Sequence, residues 1–260
     1  MNYAFFDYKY NIQNFTSDLF SVPHIIYIAL VFIGVPIICY FFRKANHKKI
    51  DKFIKFFSIF FLLFEITKIV WESYYDITLG HGFNKEGLLP IYTCSLFIYT
   101  MLFAGWGNGK IKEYSLSYIT TVSLVCGAIG VVYCNGLNYY PFWTFGAFYS
   151  LIFHSSMFFF GVFLLFTRYK KLEWKDALKA WVPMLILSLI AIPINYTYGA
   201  DYMLIYNAGG VPVMSSLADY LASKNLRFVF TYIMMITYIP LGAVVICLSK
   251  TISRIIIRKE

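Results

Sequence analysis

Long apolar stretches recur from one end of the chain to the other, and that repetition decides most of what it can fold into. A membrane-crossing helix needs about 20 mostly apolar residues. Seven stretches meet that length, at roughly 22–42, 53–73, 88–106, 116–134, 145–166, 178–198 and 228–249. With 60% hydrophobic, 21% aromatic and only 13% charged residues among 260, little is left for a separate soluble domain. The first stretch lacks a basic segment before it and is followed by others of the same kind, so it reads as a retained span rather than a cleavable leader. The sequence predicts an all-α polytopic membrane protein: a single seven-helix transmembrane domain over 1–260, with 1–21 as an outer interfacial segment.

The formal net charge of +9 is concentrated in a few short loops. Arg43, Lys44, Lys48, Lys49 and Lys52 follow span one, and Arg168, Lys170, Lys171, Lys175 and Lys179 follow span five. Lys110 and Lys112 after span three, with Lys250, Arg254, Arg258 and Lys259 after span seven, fall on the same side when spans alternate. Loops 74–87, 135–144 and 199–227 are poor in Lys and Arg. The positive-inside rule then gives an outside amino terminus, a cytoplasmic carboxyl terminus and a multi-pass protein of the cell membrane. Charge placed this way matches anionic lipid headgroups, so no nucleic-acid partner is expected. Tyr74, Tyr75, Tyr139, Tyr140 and Trp143 gather on the outer side as interfacial anchors. Loop 199–227, with Gly209, Gly210, Pro212 and Ser215, reads as a lid or short interfacial helix.

Inside span two, Glu65, Lys68 and Glu72 share one helix face through i,i+3, i+4 and i+7 spacing. An ionisable group at the centre of a bilayer costs about 2.5–3.5 kcal/mol even on lenient insertion scales. The stripe must therefore face the bundle interior or a wet cavity. Internal ion pairing that locks spans together accounts for it, and so does a site: Lys68 attracting a phosphate or carboxylate, Glu72 accepting a ring N–H of His154. Prolines 36, 183, 193 and 240 are placed to kink their spans and open room for a cavity.

Five cysteines, Cys39, Cys94, Cys126, Cys134 and Cys247, lie in or beside apolar spans without CxxC spacing, which argues against a disulfide framework and a thiolate metal site. Buried cysteine is often only a small hydrophobe. Cys94 differs because it lies near the outer start of a span, about 9 Å in, while His154 lies about 13 Å into span five, at about 1.5 Å of rise per residue. Of four histidines, only His154 sits well inside a span; His24 is near an outer end, His47 in a basic loop and His81 in an outer loop. No HExxH or other metal-ligand spacing occurs, so no metal and no cofactor is expected. An imidazole beside a partly desolvated thiol would make a thiolate reactive toward an ester. Thr93, Ser95, Ser155 and Ser156 are alternative hydroxyl partners.

The segment Leu89-Pro90-Ile91-Tyr92-Thr93-Cys94-Ser95 resembles the LPxxxCS signature of the YwaF family of bacterial membrane proteins, related to the eukaryotic transmembrane protein 164 family. Glu65 with Trp71, Pro141-Phe142, His154, Asn195-Tyr196 and Asp201-Tyr202-Met203 extend the resemblance over most of the chain. It implies lipid acyl transfer, from a phospholipid to a lysophospholipid, through a cysteine with a histidine involved. More distant seven-span relatives hydrolyse fatty-acid esters with threonine and histidine. Carried onto this chain, the resemblance makes Cys94 the nucleophile and His154 its base, while Glu72 is expected from the residues themselves to orient that base. Glu65, Lys68, Asn195, Tyr196, Asp201 and Tyr92 contact the substrate. Tyr92 stands where the bacterial pattern commonly has histidine, and Asp201 where it commonly has asparagine.

Two functions follow as expectations. One is a membrane-embedded lipid acyltransferase or acyl-ester hydrolase opening to the outer leaflet, with a membrane phospholipid or lysophospholipid as partner. The other is a small-molecule or ion transporter with a polar outward-facing cavity, in which Glu65 and Glu72 hold a cation and Lys68 is the counter-charge.

Overall fold

The computed structural model describes residues 3–12, 15–80, 89–208 and 212–257. His81, Gly209, Gly210, Arg258 and Lys259 lie outside the described residues, as do parts of loops 74–87 and 199–227. All regular structure in the described residues is helical. The helices are α1 (Val22–Phe41), α2 (His47–Thr78), α3 (Leu96–Trp106), α4 (Gly109–Thr120), α5 (Val122–Val132), α6 (Phe145–Phe166), α7 (Lys175–Tyr198), α8 (Pro212–Ser223) and α9 (Arg227–Ile257).

Five helical segments among the described residues are long and apolar enough to cross a membrane: Val22–Phe41, Gly109–Asn138, Phe145–Phe166, Lys175–Tyr198 and Arg227–Thr251. The chain is a multi-pass α-helical membrane protein. With its 32 residues, α2 reaches about 48 Å at about 1.5 Å per residue, long enough to cross, but it carries the Glu65, Lys68 and Glu72 stripe. It starts cleanly because the Asn46 side chain caps it, accepting from the Lys48 N–H at 2.8 Å.

Two expected spans differ from their sequence pattern. Of the stretch 88–106, the described part from Leu89 is helical only from Leu96. Pro90 disfavours a helical conformation at the residue before it, and 89–95 instead forms a turn closed by bonds such as Leu96 N–H to the Tyr92 carbonyl at 3.1 Å. The depth of Cys94 therefore does not follow from helical rise. The stretch 116–134 is broken at Thr121, whose backbone (φ −124, ψ −90) is not helical, and its first half begins earlier, at Gly109. Hydroxyls of Ser115, Thr120 and Thr121 each bond back to the carbonyl four residues before, from 2.6 to 2.8 Å. Such bonds bend helices, and three together in one stretch account for a break that hydrophobic periodicity does not register.

The chain divides into two compact units, 1–83 with 123–171 and 84–122 with 172–260, and one of its three passages between them follows Val122, next to the Thr121 break. In the first unit α6 is the central element, with α1 and α2 against it. Aromatic rings of Phe53, Phe57 and Phe61 on α2 meet Phe160 on α6 with centroids 5.5–5.9 Å apart. Between α5 and α6 the backbones come close: a Cβ on Gly127 would lie 2.8 Å from the His154 carbonyl oxygen and 2.7 Å from Met157 Cβ. Only glycine permits that approach. In the second unit α4 packs on α3 and α7, and α9 on α7 and α8. Buried Asp176 pins α7 to α4, accepting from Ser117 Oγ at 2.7 Å, while Lys179 Nζ reaches Glu113 at 2.6 Å.

Candidate functional site

The predicted residues fall into both units. Glu65, Lys68, Glu72 and His154 belong to the first, Tyr92, Cys94, Asn195, Tyr196 and Asp201 to the second.

His154 is the tenth residue of α6, and its Nδ1 lies 2.8 Å from the Ser150 carbonyl one turn earlier. A carbonyl only accepts, so Nδ1 carries the proton and the lone pair of the neutral ring is on Nε2. The face of the ring lies on Gly130 of α5, where a Cβ would overlap ring atoms Cγ and Cδ2. Helix period thus supplies the orienting carbonyl, and a missing side chain on the neighbouring helix supplies the slot.

The α2 stripe is an ion-paired row. Lys68 Nζ lies 3.5 Å from Glu65 Oε1 and 3.3 Å from Glu72 Oε2, with Glu65 4% exposed and the other two about a fifth exposed (20% and 21%). The Tyr149 hydroxyl donates to Glu65 Oε2, and Lys68 Nζ sits 5.7 Å from the centre of the Tyr149 ring. One turn beyond Glu72, buried Asp76 accepts from Tyr8 Oη at 2.9 Å. Burial and that bond push the Tyr8 hydroxyl above its ordinary pKa, so it stays a donor. Tyr8 is enclosed by Trp71, Tyr75 and Tyr140, and the Phe5 and Phe6 carbonyls, accepting from the Phe145 N–H and the Trp71 indole N–H, fasten the amino-terminal segment to α6 and α2. Glu72 pairs with Lys68, and the Nδ1–H of His154 is held by the Ser150 carbonyl.

In the second unit Cys94 is half-buried in the turn before α3. The turn is held from both flanks. Tyr118 Oη donates to the Thr93 carbonyl at 2.5 Å, and Tyr238 Oη, which donates to the Met203 carbonyl at 2.8 Å, lies 3.1 Å from Thr93 Oγ1. With its own proton given to a carbonyl, Tyr238 accepts from Thr93, so that hydroxyl is committed to holding the turn. Met203 and Leu204 take left-handed backbone angles (φ 60 and 56), a strained pair for residues with side chains.

Asn195 is fully buried and bonds both backbone groups of Tyr202 at 2.9 Å, which folds the chain back after α7. Asp201 accepts from the N–H groups of Tyr206 and Asn207 at 2.9 Å. Tyr196 Oη lies 3.2 Å from Thr231 Oγ1, and Tyr92 packs on Tyr202 with ring centres 5.1 Å apart. These four residues build the loop around the Cys94 turn.

The model of the TMEM164 family matches residues 19–247. The chain belongs to the TMEM164 family. All nine predicted site residues lie within the matched span. No curated protein and no solved structure matches the chain. TMEM164 membership supports a lipid-modifying enzyme in general terms and is consistent with a lipid-related partner.

Sequence reasoning missed several residues of this TMEM164-family arrangement. Asp76 continues the α2 stripe at i+4 from Glu72, a signal present in the spacing. Tyr149, Tyr118, Tyr238 and Gly130 act through contacts distant in sequence, which no local period announces. Among the described residues no group of three or more His, Cys, Asp or Glu side chains is arranged to hold a metal ion.

Proposed function

We propose that this protein is a membrane-embedded lipid acyltransferase or acyl-ester hydrolase, with seven spans, an outside amino terminus and a site reached from the outer leaflet. Cys94 is the nucleophile and His154 the base, roles carried by the family resemblance. The cysteine sulfur forms a bond to the ester carbonyl carbon, and the carbon–oxygen bond to the lipid breaks. The thiol proton taken by the imidazole goes to the departing alkoxide. A lysophospholipid hydroxyl or water then cleaves the thioester, giving its proton to the same imidazole and restoring the thiol.

The observation that supports this reading best is the His154 Nδ1 bond to the Ser150 carbonyl, which leaves the basic lone pair on Nε2. A base needs a fixed tautomer, and here a backbone carbonyl does what a carboxylate does in other nucleophilic sites. Lys68, held between two carboxylates, is the group for a lipid phosphate, and Glu65 and Glu72 set its position. Tyr92, Asn195, Tyr196 and Asp201 support the Cys94 turn on the substrate side.

Purified protein in phospholipid vesicles, supplied with a lysophospholipid, tests the proposal through acyl exchange and fatty-acid release. Wild type turns over lipid and Cys94→Ala does not. Unchanged turnover in Cys94→Ala removes the cysteine mechanism. Solute flux across sealed vesicles without lipid turnover replaces the enzyme with a transporter.

A further inference from the structure

Within the second unit, α3 and α7 leave a cavity of about 380 Å³ between them, in the size range of about 300–1,000 Å³ typical of small-molecule sites. Ile91, Leu96, Phe103, Ile186, Leu187 and Ile190 supply most of its wall, and no charged residue lines it. Thr100 also faces it, but its hydroxyl donates back to the Leu96 carbonyl at 2.9 Å and offers the cavity a methyl group. Pro183, on the wall, lacks the N–H that would continue the α7 ladder, which favours a kink away from α3.

The cavity has a closed floor and an open rim. Leu96, Thr100 and Leu187 are buried, whereas Phe103 is 51% and Ile186 56% exposed on helices of a membrane protein. Tyr99 and Thr100 carry the only hydroxyls among the lining side chains and the rest of the wall is hydrocarbon, so the fitting occupant is a hydrocarbon chain. The groove begins beside the turn that carries the proposed nucleophile. Ile91 precedes Cys94 by three residues and Leu96 follows it by two, so both ends of the cysteine turn form part of the wall. Direction along the groove follows from the loop after α7. Asn195 holds Tyr202, and Met203 meets Thr93 beside Cys94, which puts the Ile190 end of the groove nearest the cysteine and the Phe103 and Pro183 end farthest.

We propose that this groove seats the acyl chain of the ester attacked by Cys94, and that Leu187 on its floor and Phe103 at its far end set the accepted chain length. The proposal rests on the acyl-transfer reading, and its test separates the two. A phospholipid with a photoreactive group along its acyl chain is cross-linked to the full-length protein in vesicles, and the labelled peptides are mapped. Cross-links concentrate on the α3 and α7 peptides containing Thr100 and Leu187 and are displaced by excess unlabelled phospholipid. They persist in Cys94→Ala, which blocks chemistry without filling the groove. Labelling spread evenly over lipid-facing helices, undisplaced by competitor, overturns the groove whether or not lipid is turned over.

Turnover of short- and long-chain phospholipids gives the second arm. Leu187→Trp lowers long-chain relative to short-chain turnover about tenfold, the scale of discrimination in an apolar pocket. Phe103→Ala, at a half-exposed position that tolerates truncation, shifts the ratio toward longer chains. Ile236→Trp, exposed on α9 and outside the groove, leaves it unchanged. A ratio unchanged in Phe103→Ala also overturns the assignment, even if Leu187→Trp fails to fold.

Discussion

His24 and His154 lie in the same unit and lean on adjacent residues of α5, yet the backbone holds both ring nitrogens of His24 and the Nδ1 of His154. His24 is fully buried: its Nδ1 accepts from the Phe20 N–H at 3.0 Å, and its Nε2–H donates to the Val131 carbonyl at 2.9 Å. Both nitrogens are occupied by backbone, and a proton on Nδ1 would face the Phe20 N–H. His24 therefore ties the start of α1 to α5 and has no lone pair left for chemistry. His154 has the other tautomer, with one nitrogen held by Ser150 and its ring beside Gly130. Position in a span does not tell the two histidines apart; the number of ring nitrogens held by backbone does.

Replacing His154 by Ala breaks the comparison at its functional side. Lipid turnover falls by about 10²–10⁴-fold, the usual contribution of a general base, while the thermal unfolding midpoint in detergent moves little. An equal loss in His24→Ala after correction for folded protein would erase the distinction. Gly130→Ala sharpens it without touching the base itself. The added methyl displaces the imidazole, and turnover falls about 10²-fold, as for misplacement of a reacting group by about 1 Å. The loss appears in kcat rather than KM, with lipid cross-linking retained, whereas simple unfolding would remove both.

His24→Ala acts on stability instead. It leaves two backbone groups without their partner at a cost of about 1–3 kcal/mol each, read as a lowered unfolding midpoint with turnover per folded molecule preserved. Tyr149→Phe is the smallest change. Glu65 keeps Lys68 but loses one hydrogen bond, a cost of about 1.5 kcal/mol. The companion Lys68→Met costs more, because it leaves two carboxylates without their cation. If Tyr149→Phe proves the more damaging of the two, the α2 row is not organised around Lys68.

The first unit was more legible in the sequence than the second. Helices α1 and α6 match their expected spans to within a residue because nothing interrupts their apolar runs. The pairing of Lys68 with Glu65 and Glu72 follows directly from i,i+3 and i,i+4 spacing. The turn around Cys94 resisted such reading. Its shape depends on Tyr118, Tyr238 and Asn195, which reach Thr93, Met203 and Tyr202 through contacts no local period encodes. Asn195 is polar in an apolar span, and its amide bonds both backbone groups of Tyr202. Burying a polar side chain to satisfy a loop and burying it to meet a ligand leave the same mark in a sequence.

Mass spectrometry of the protein after incubation with phospholipid vesicles decides whether Cys94 carries the acyl group. An acyl mass is expected on the Cys94 peptide, removed by hydroxylamine, absent in Cys94→Ala and accumulating far more slowly in His154→Ala. Lipid turnover proceeding with no acyl mass on Cys94, in wild type sampled during steady turnover, would contradict the cysteine mechanism.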